Sequence, residues 1–293
     1  MSHRRVRWVL RFLGGCAAGA LLAAGPLISG AAAERASAIA RVVEHAASGA
    51  VTAELSYDRN GYEFTDLHLR IVRAGQTLVD TPLTAGCEDC LTFPGGFGSR
   101  RSIAAVNLDR GAEPEVVVDI NTGGAHCCDI AYVYVYQPAS NSYVLVRHNF
   151  ADPGFRLKDL NGDRTVEFRS ADARFAYVFT AFGQSRFPIQ AWRFRAGRFV
   201  DVTRGFPRLI RGDARRLYRE YTRGRRDGGD VRGVLAAYTA DEYLLGKGKA
   251  GWRVVRHAVA RGDVRKYASD LWPSGKKYLR KLHRFLLRKG YIR

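Results

Sequence analysis

Asp159-Leu160-Asn161-Gly162-Asp163-Arg164-Thr165-Val166-Glu167 is the stretch on which the fold turns. Oxygen-bearing side chains fall at its first, third and fifth positions, with Gly at the fourth and an acid at the ninth. Alternate residues of a tight turn can point into one centre, and Gly162 permits the reversal. Calcium takes six to eight oxygens at roughly 2.3–2.6 Å. Asp159, Asn161, Asp163, the Thr165 carbonyl and Glu167 would supply most of them. An EF-hand is excluded, because that loop has Gly at six and Glu at twelve, between helices. The competing reading is an Asx-turn loop that holds no ion.

Roughly fifty residues earlier the pattern recurs, a period that fits a blade or hairpin-pair unit. Asn107, Asp109 and Glu115 match positions one, three and nine. Gly111 stands at position five, so one ligand is missing, and Arg110 replaces the turn glycine. The loop 107–115 therefore reads as a weaker, degenerate site that keeps the fold.

Strand signals surround both loops from about Val51 to Thr203. Tyr132, Tyr134 and Tyr136 alternate with Val133 and Val135, a period of two, and Val116-Val117-Val118 with Ile120 is a buried-strand run. Ile71–Arg73 and Thr77–Val79 flank Ala74-Gly75, and Trp192–Phe194 and Phe199–Val202 flank Ala196-Gly197, both hairpin patterns. Phe175, Tyr177 and Phe179 alternate with smaller residues and read as another strand.

The two loops resemble the calcium loops of FG-GAP and VCBS repeats, found in integrin-alpha-type propellers and secreted bacterial proteins. The wider runs Asn107–Cys128 and Lys158–Thr203 resemble a group of secreted bacterial proteins. The resemblance implies calcium-supported β-structure and no reaction. About 150 residues of strand signal fall short of the four blades a closed propeller needs. A compact, mainly antiparallel β domain with blade-like units is expected over 51–203.

After Phe206 the period becomes helical. Asp213, Asp230 and Ser274 are candidate helix caps, Gly246 and Gly262 candidate stops, and Trp252–Ala260 a further helix. Near the C-terminus Tyr278, Leu282, Phe285 and Leu286 form one stripe, and Lys277, Lys281, Arg284 and Arg288 the opposite one. The fold class is therefore α+β, with a helical domain over 204–293.

Charge divides at the same boundary. Residues 34–203 hold 18 Lys+Arg against 20 Asp+Glu, whereas residues 204–293 hold 25 against 8. The whole chain, of formal charge +19, is 46% hydrophobic and 26% charged, which excludes collagen-like, mucin-like and wholly disordered classes. The basic helices suit anionic cell-wall polymers or lipid head groups. A merely solvated face is the plain alternative. Nucleic acid is not an expected partner of an exported chain.

Export is read from the N-terminus. Arg4, Arg5, Arg7 and Arg11 precede the apolar stretch Phe12–Ile28, and Ala31-Ala32-Ala33 gives a cleavage pattern before Glu34. A second pattern, Ala36-Ser37-Ala38, is the fallback. At about 17 residues, broken by Gly and Pro26, the stretch is short of the ~20 a membrane span needs. Leu13-Gly14-Gly15-Cys16 as a lipidation box is the minor reading. Residues 34–50 are expected to be a linker.

An exported chain keeps Cys87, Cys90, Cys127 and Cys128, an even number that suggests disulfides. Bridges between the Cys87–Cys90 loop and the Cys127–Cys128 loop are preferred over a strained adjacent pair. Zinc on these cysteines with His126 is the lesser reading.

Gly246-x-Gly248-x-x-Gly251 matches a dinucleotide fingerprint by letters only, since no strand precedes it. No G-x-S-x-G, H-E-x-x-H or P-loop pattern occurs. The chain reads as a calcium-braced, disulfide-containing binding or structural module rather than an enzyme. The alternative is a hydrolase or lyase of an anionic envelope polymer, with its site near 119–129 around Asp119 and His126.

Overall fold

β1 (Ala40–Ser48) opens a four-stranded antiparallel meander with β2 (Val51–Asn60), β3 (Glu63–Arg73) and β4 (Gln76–Pro82). The computed structural model describes residues 39–87, 90–95, 101–124, 126–266 (Cys127 by its backbone only) and 271–292. The export segment and its cleavage patterns lie outside these residues. Residues 40–48, within the expected linker 34–50, form a strand instead: β1 pairs with β2 from Ala40↔Arg59 to Ser48↔Val51. Its alternating half-buried residues follow the two-residue period of a strand. The expected hairpin at Ala74-Gly75 is present, both residues having positive φ (47° and 83°), as a two-residue turn between twisted strands requires.

The second sheet holds β5 (Phe93–Pro94), β6 (Ile103–Val106), β7 (Glu115–Gly124), β8 (Cys127–Gln137) and β9 (Ser142–Ala151). β5 and β6 both pair with β7, and β8 and β9 follow in order. The third sheet is the meander β10 (Arg156–Lys158), β11 (Glu167–Ala171), β12 (Ile189–Arg195) and β13 (Arg198–Asp201). Ala196-Gly197 turns its last hairpin as expected.

β7 explains why the Val116–Val118 run is apolar on both of its faces. Val116, Val118 and Ile120 pack with Leu55, Leu69 and Ile71 of the first sheet. Val117 packs with Phe168 and Phe194 of the third. A strand buried on both faces loses the polar half of its alternation.

Among the described residues four helices follow: α1 (Pro207–Arg226), α2 (Arg232–Leu244), α3 (Gly248–Ala260) and α4 (Gly275–Arg288). Asp213 is not a cap. Pro207 occupies the first turn, where its missing N–H costs nothing, and Asp213 lies buried further along α1. Asp230 does serve the start of α2, accepting the Arg232 N–H at 2.9 Å. Ser274 precedes α4, although its side chain makes no capping bond. Gly246 and Gly262 take positive φ (72° and 79°) just past α2 and α3.

The glycines of the dinucleotide-like motif serve helix contact. A Cβ on Gly248 would stand 2.2 Å from Tyr243, and one on Gly251 2.8 Å from Glu242. They let α3 approach α2 rather than cradle a phosphate.

Phe175–Thr180 does not form the expected strand. Asp172 accepts the Arg174 N–H at 3.0 Å and starts a 3-10 turn, Ala173–Phe175. Phe175 and Phe179, four residues apart, enter the helical core beside Tyr278 and Phe285, while Tyr177 stays 48% exposed. Spacing for that core overrides the alternation seen in the letters. The helices thus share their core with the segment before them, and residues 38–293 form one compact unit. No helix of the described residues is long and apolar enough to cross a membrane.

Candidate functional site

The two acidic loops occupy the same place in successive sheets, joining β6 to β7 and β10 to β11. The residue before each loop pairs with its closing acid, Val106 with Glu115 and Lys158 with Glu167. Each closing carboxylate reaches back across its turn. Glu115 Oε2 accepts the Leu108 N–H at 2.8 Å and Glu167 Oε2 the Leu160 N–H at 3.0 Å. Arg110, at φ 65°, takes the left-handed conformation that Gly162 takes at 80°. The repeat is therefore one of backbone geometry as well as of letters.

Within 159–167, Asp159 Oδ1 accepts the amides of Asn161, Gly162 and Asp163 at 3.3, 2.7 and 3.2 Å. Its Oδ2 accepts that of Arg164 at 2.8 Å. Burial opposes ionisation of Asp159, but these amides hold its pKa below the ordinary value. Asp163 Oδ1 accepts the Thr165 N–H at 2.8 Å, and Asn161 Nδ2 donates to Oδ2 at 3.1 Å. Those bonds, with Arg110 adding to them, push the Asp163 carboxyl well down.

Two guanidinium groups occupy the acidic rim. Arg110 of the first loop donates to Thr165 Oγ1 at 2.6 Å and to the Asp163 carbonyl at 3.1 Å, and faces Asp163 Oδ2 at 3.1 Å. Arg193 on β12 pairs with Glu167 Oε1 and lies 3.5 Å from Asp163 Oδ2. Glu167 is wholly buried, so this cation answers an expensive burial. The donor set suits a hard, oxygen-seeking ion. In this conformation, however, the carboxylates turn to amides and arginines. Among the described residues no group of three or more His, Cys, Asp or Glu converges as a metal site. A calcium ion would have to displace the guanidiniums from Asp163 and Glu167.

The first loop has no such cation on its closing acid. Asn107 Nδ2 donates to the Gly111 carbonyl at 2.6 Å, and Asp109 Oδ1 accepts the Gly111 N–H at 2.7 Å. Asn107 Oδ1 is buried without a hydrogen-bond partner among the described residues. Burial raises the Glu115 pKa to about 7, with Asp109 adding and the Leu108 amide opposing. The sign follows: stability from the protonated carboxyl is full below the ordinary value near 4.5 and is lost as pH rises through about 7. Glu115→Gln is expected to remove about 2 kcal/mol of pH-dependent stability between pH 5 and pH 8. Thermal melts across that range check this. Parallel curves for wild type and variant would contradict it.

The region around 119–129 is polar and walled. Asp119, Asn121 and Asp129 share one face of the second sheet, since Asn121 pairs with Asp129 and Asp119 lies two residues before it. Asn121 Nδ2 donates to Asp129 Oδ1 at 2.6 Å, and burial raises the Asp129 pKa, with Asp152 adding to it. Asp119 and Asp129 line a cavity of about 1160 Å³ that also meets Arg156, Arg169 and, from α1, Asp213 and Arg216. His126 is not among its walls. Its ring stacks on Phe182 with centroids 3.8 Å apart.

The preferred cysteine pairing is corrected. Cys87 and Cys90 lie at disulfide distance from one another, so they do not bridge to the Cys127–Cys128 loop. Three residues apart in sequence, they can close on each other without moving either loop. Cys128 is buried and its amide donates to Thr122 Oγ1 at 2.8 Å. The Cys127 side chain lies outside the described residues.

Spacing on the sequence found the loops but neither Arg193 nor the contact of Arg110 with the other loop. Asp129 and the buried carboxyl Asp241 also escaped it, and Asp213 is marked there only as a helix cap. Asp241 is fully buried on α2, and burial beside Asp213 holds its carboxyl well above the ordinary range. Nothing local marks Arg193, Asp129 or Asp241.

One family model matches the helices. Residues 210–290 match the sll0997 C-terminal domain. That match spans most of α1 through α4 and does not touch the acidic loops. A probable thylakoid lumen protein, sll0997, from Synechocystis sp. (strain ATCC 27184 / PCC 6803 / Kazusa) is 30% identical over 145 residues, 48% of this chain and 43% of that protein. Protein y4bJ of Sinorhizobium fredii (strain NBRC 101917 / NGR234) is 28% identical over 215 residues, 71% of this chain and 32% of that protein. The chain thus spans less than half the length of either relative. No solved structure matches it.

Proposed function

We propose that this chain is an extracytoplasmic, non-enzymatic binding module in which the β-sheets are the scaffold and the basic helices hold an anionic polymer or lipid surface. The observation that carries this reading is the charge partition, 25 Lys+Arg against 8 Asp+Glu over residues 204–293. Such a surface raises the local concentration of anions and steers their encounter. Export is supported by the Arg-rich, apolar and small-residue order of residues 1–33. The similarity to a probable lumen protein points the same way, a lumen lying outside the cytoplasm. The loops, as FG-GAP-type units, would take structural calcium on Asp159, Asn161, Asp163, Thr165 and Glu167. Their repetition in two sheets and their oxygen donors support this.

Sedimentation with anionic and zwitterionic vesicles, and with anionic and neutral polysaccharides, tests the reading. Capture by anionic partners alone, reversed by salt, is the expected result. Capture by none of them would overturn it.

The cavity beside Asp119 and Asp129 favours one second reading, hydrolysis or lysis of an envelope polymer. Asp119 and Asp129 are both buried, and burial raises the Asp129 pKa, which suits a carboxyl that carries a proton. Turnover of an acidic polysaccharide that disappears in Asp129→Asn, with folding intact, would support it over the first.

A further inference from the structure

The exposed side of α1 is a single file of arginines. Arg208, Arg211, Arg215, Arg219, Arg223 and Arg226 are all exposed. At about 100° per residue they fall within some 60° of one line along the helix, since 3.6 residues make a turn. Between them on that face lie Gly212 and Thr222, neither of them charged. The helix is 20 residues long, so the file extends roughly 30 Å, with one cation per ~6 Å where the spacing is four residues.

Five of these six cations are not spent within the fold. Glu220 pairs with Arg186 and Arg216, and Asp213 with Arg216, on the flank of the helix. Arg226 meets Asp227 at 3.3 Å. Arg208, Arg211, Arg215, Arg219 and Arg223 make no ion pair with any described residue. The opposite face of α1, with Ile210, Ala214, Leu217 and Tyr221, is buried and cannot enter a bilayer. An interfacial helix needs that apolar face free. Hence a planar lipid surface would meet only the arginine tips.

We propose that this face of α1 binds an extended acidic polysaccharide carrying one carboxylate or sulfate per sugar unit. A guanidinium forks two hydrogen bonds onto such a group, and a straight row of forks selects a linear array of anions over a scattered one. The proposal rests on the reading of the helical portion as an anion-binding surface, and it narrows that reading to one face and one class of partner. The comparable row on α4 differs in being partly engaged: Lys281 lies over the rings of Phe179 and Trp272.

The test uses the chain from residue 34 onward and polygalacturonate, with dextran and anionic vesicles as the other arms. Affinities are measured for wild type, for Arg211→Gln/Arg215→Gln/Arg219→Gln, and for the charge-matched control Lys277→Gln/Arg284→Gln/Arg288→Gln. All six side chains are at the surface, and circular dichroism verifies the fold of each variant. The expected result is polygalacturonate binding that weakens on the order of thirty-fold in the α1 variant. A much smaller loss is expected in the α4 variant. Equal losses in the two variants, or stronger capture by vesicles than by the polymer, would overturn this proposal and leave the broader reading standing. Failure of wild type to bind any anionic arm would overturn both.

Discussion

Arg193→Met is expected to destabilise the fold by about 3–5 kcal/mol, the scale for removing one partner of a buried ion pair. Glu167 is 0% exposed, and its Oε1 is held by the Arg193 guanidinium. Methionine keeps much of the volume but leaves that buried carboxyl without its guanidinium partner. The double variant Arg193→Met/Glu167→Gln should recover most of the loss, because Gln keeps the Leu160 hydrogen bond without a buried charge. Chemical denaturation of the three proteins checks both steps. The same variant interrogates the calcium reading. If the loop takes calcium, millimolar calcium should restore the Arg193→Met melting temperature, and Asp163→Ala should abolish the rescue. Absence of any calcium response would leave the loop as one braced by arginine alone.

A comparable loss of about 3–5 kcal/mol is expected for Asp230→Ala. Arg232 is 3% exposed, and both oxygens of Asp230 hold its guanidinium, at 2.8 and 2.6 Å. The same carboxylate accepts the Thr180 hydroxyl and so ties the segment before the helices to the start of α2. Alanine removes the helix-starting acceptor, the tie to Thr180 and two charge-assisted bonds to the Arg232 guanidinium together. Asp230→Asn should cost less, since its carbonyl still accepts from the Arg232 amide. Equal melting temperatures for Asp230→Ala and wild type would show that these bonds do not hold the start of α2.

Local chemistry made much of this fold readable. The Tyr132–Tyr136 alternation, the Ala74-Gly75 and Ala196-Gly197 turns and the stripe Tyr278–Leu282–Phe285–Leu286 each declare themselves within a few residues. What escaped depends on partners far away in the chain. β1 is Ala-rich and lacks a strong strand composition, yet pairing with β2 holds it extended. Phe175–Phe179 alternates like a strand, but the buried residues are four apart because the helical core receives them. Asp213 looks like a cap until Pro207 is seen to start the helix earlier. Among the site residues, the oxygens of 159–167 are legible because a turn brings neighbours together. Arg193, 26 residues beyond Glu167, and Arg110, 53 residues before Asp163, are not.

The charge partition has a physical consequence beyond solubility. Asp163 of the β portion is engaged by Arg110 and Arg193, whereas Arg208, Arg211, Arg215, Arg219 and Arg223 of α1 face solvent and make no ion pair with a described residue. Cations condensed on a polyanion are released when these arginines neutralise it, and that release drives association at low salt. The most direct test is the polygalacturonate affinity of the chain from residue 34 onward as a function of salt concentration. The account predicts a linear fall of log affinity with log salt, of slope about −3 to −5 for some five neutralised charges. Binding unaffected by salt, or equally strong for a neutral polymer, would contradict it.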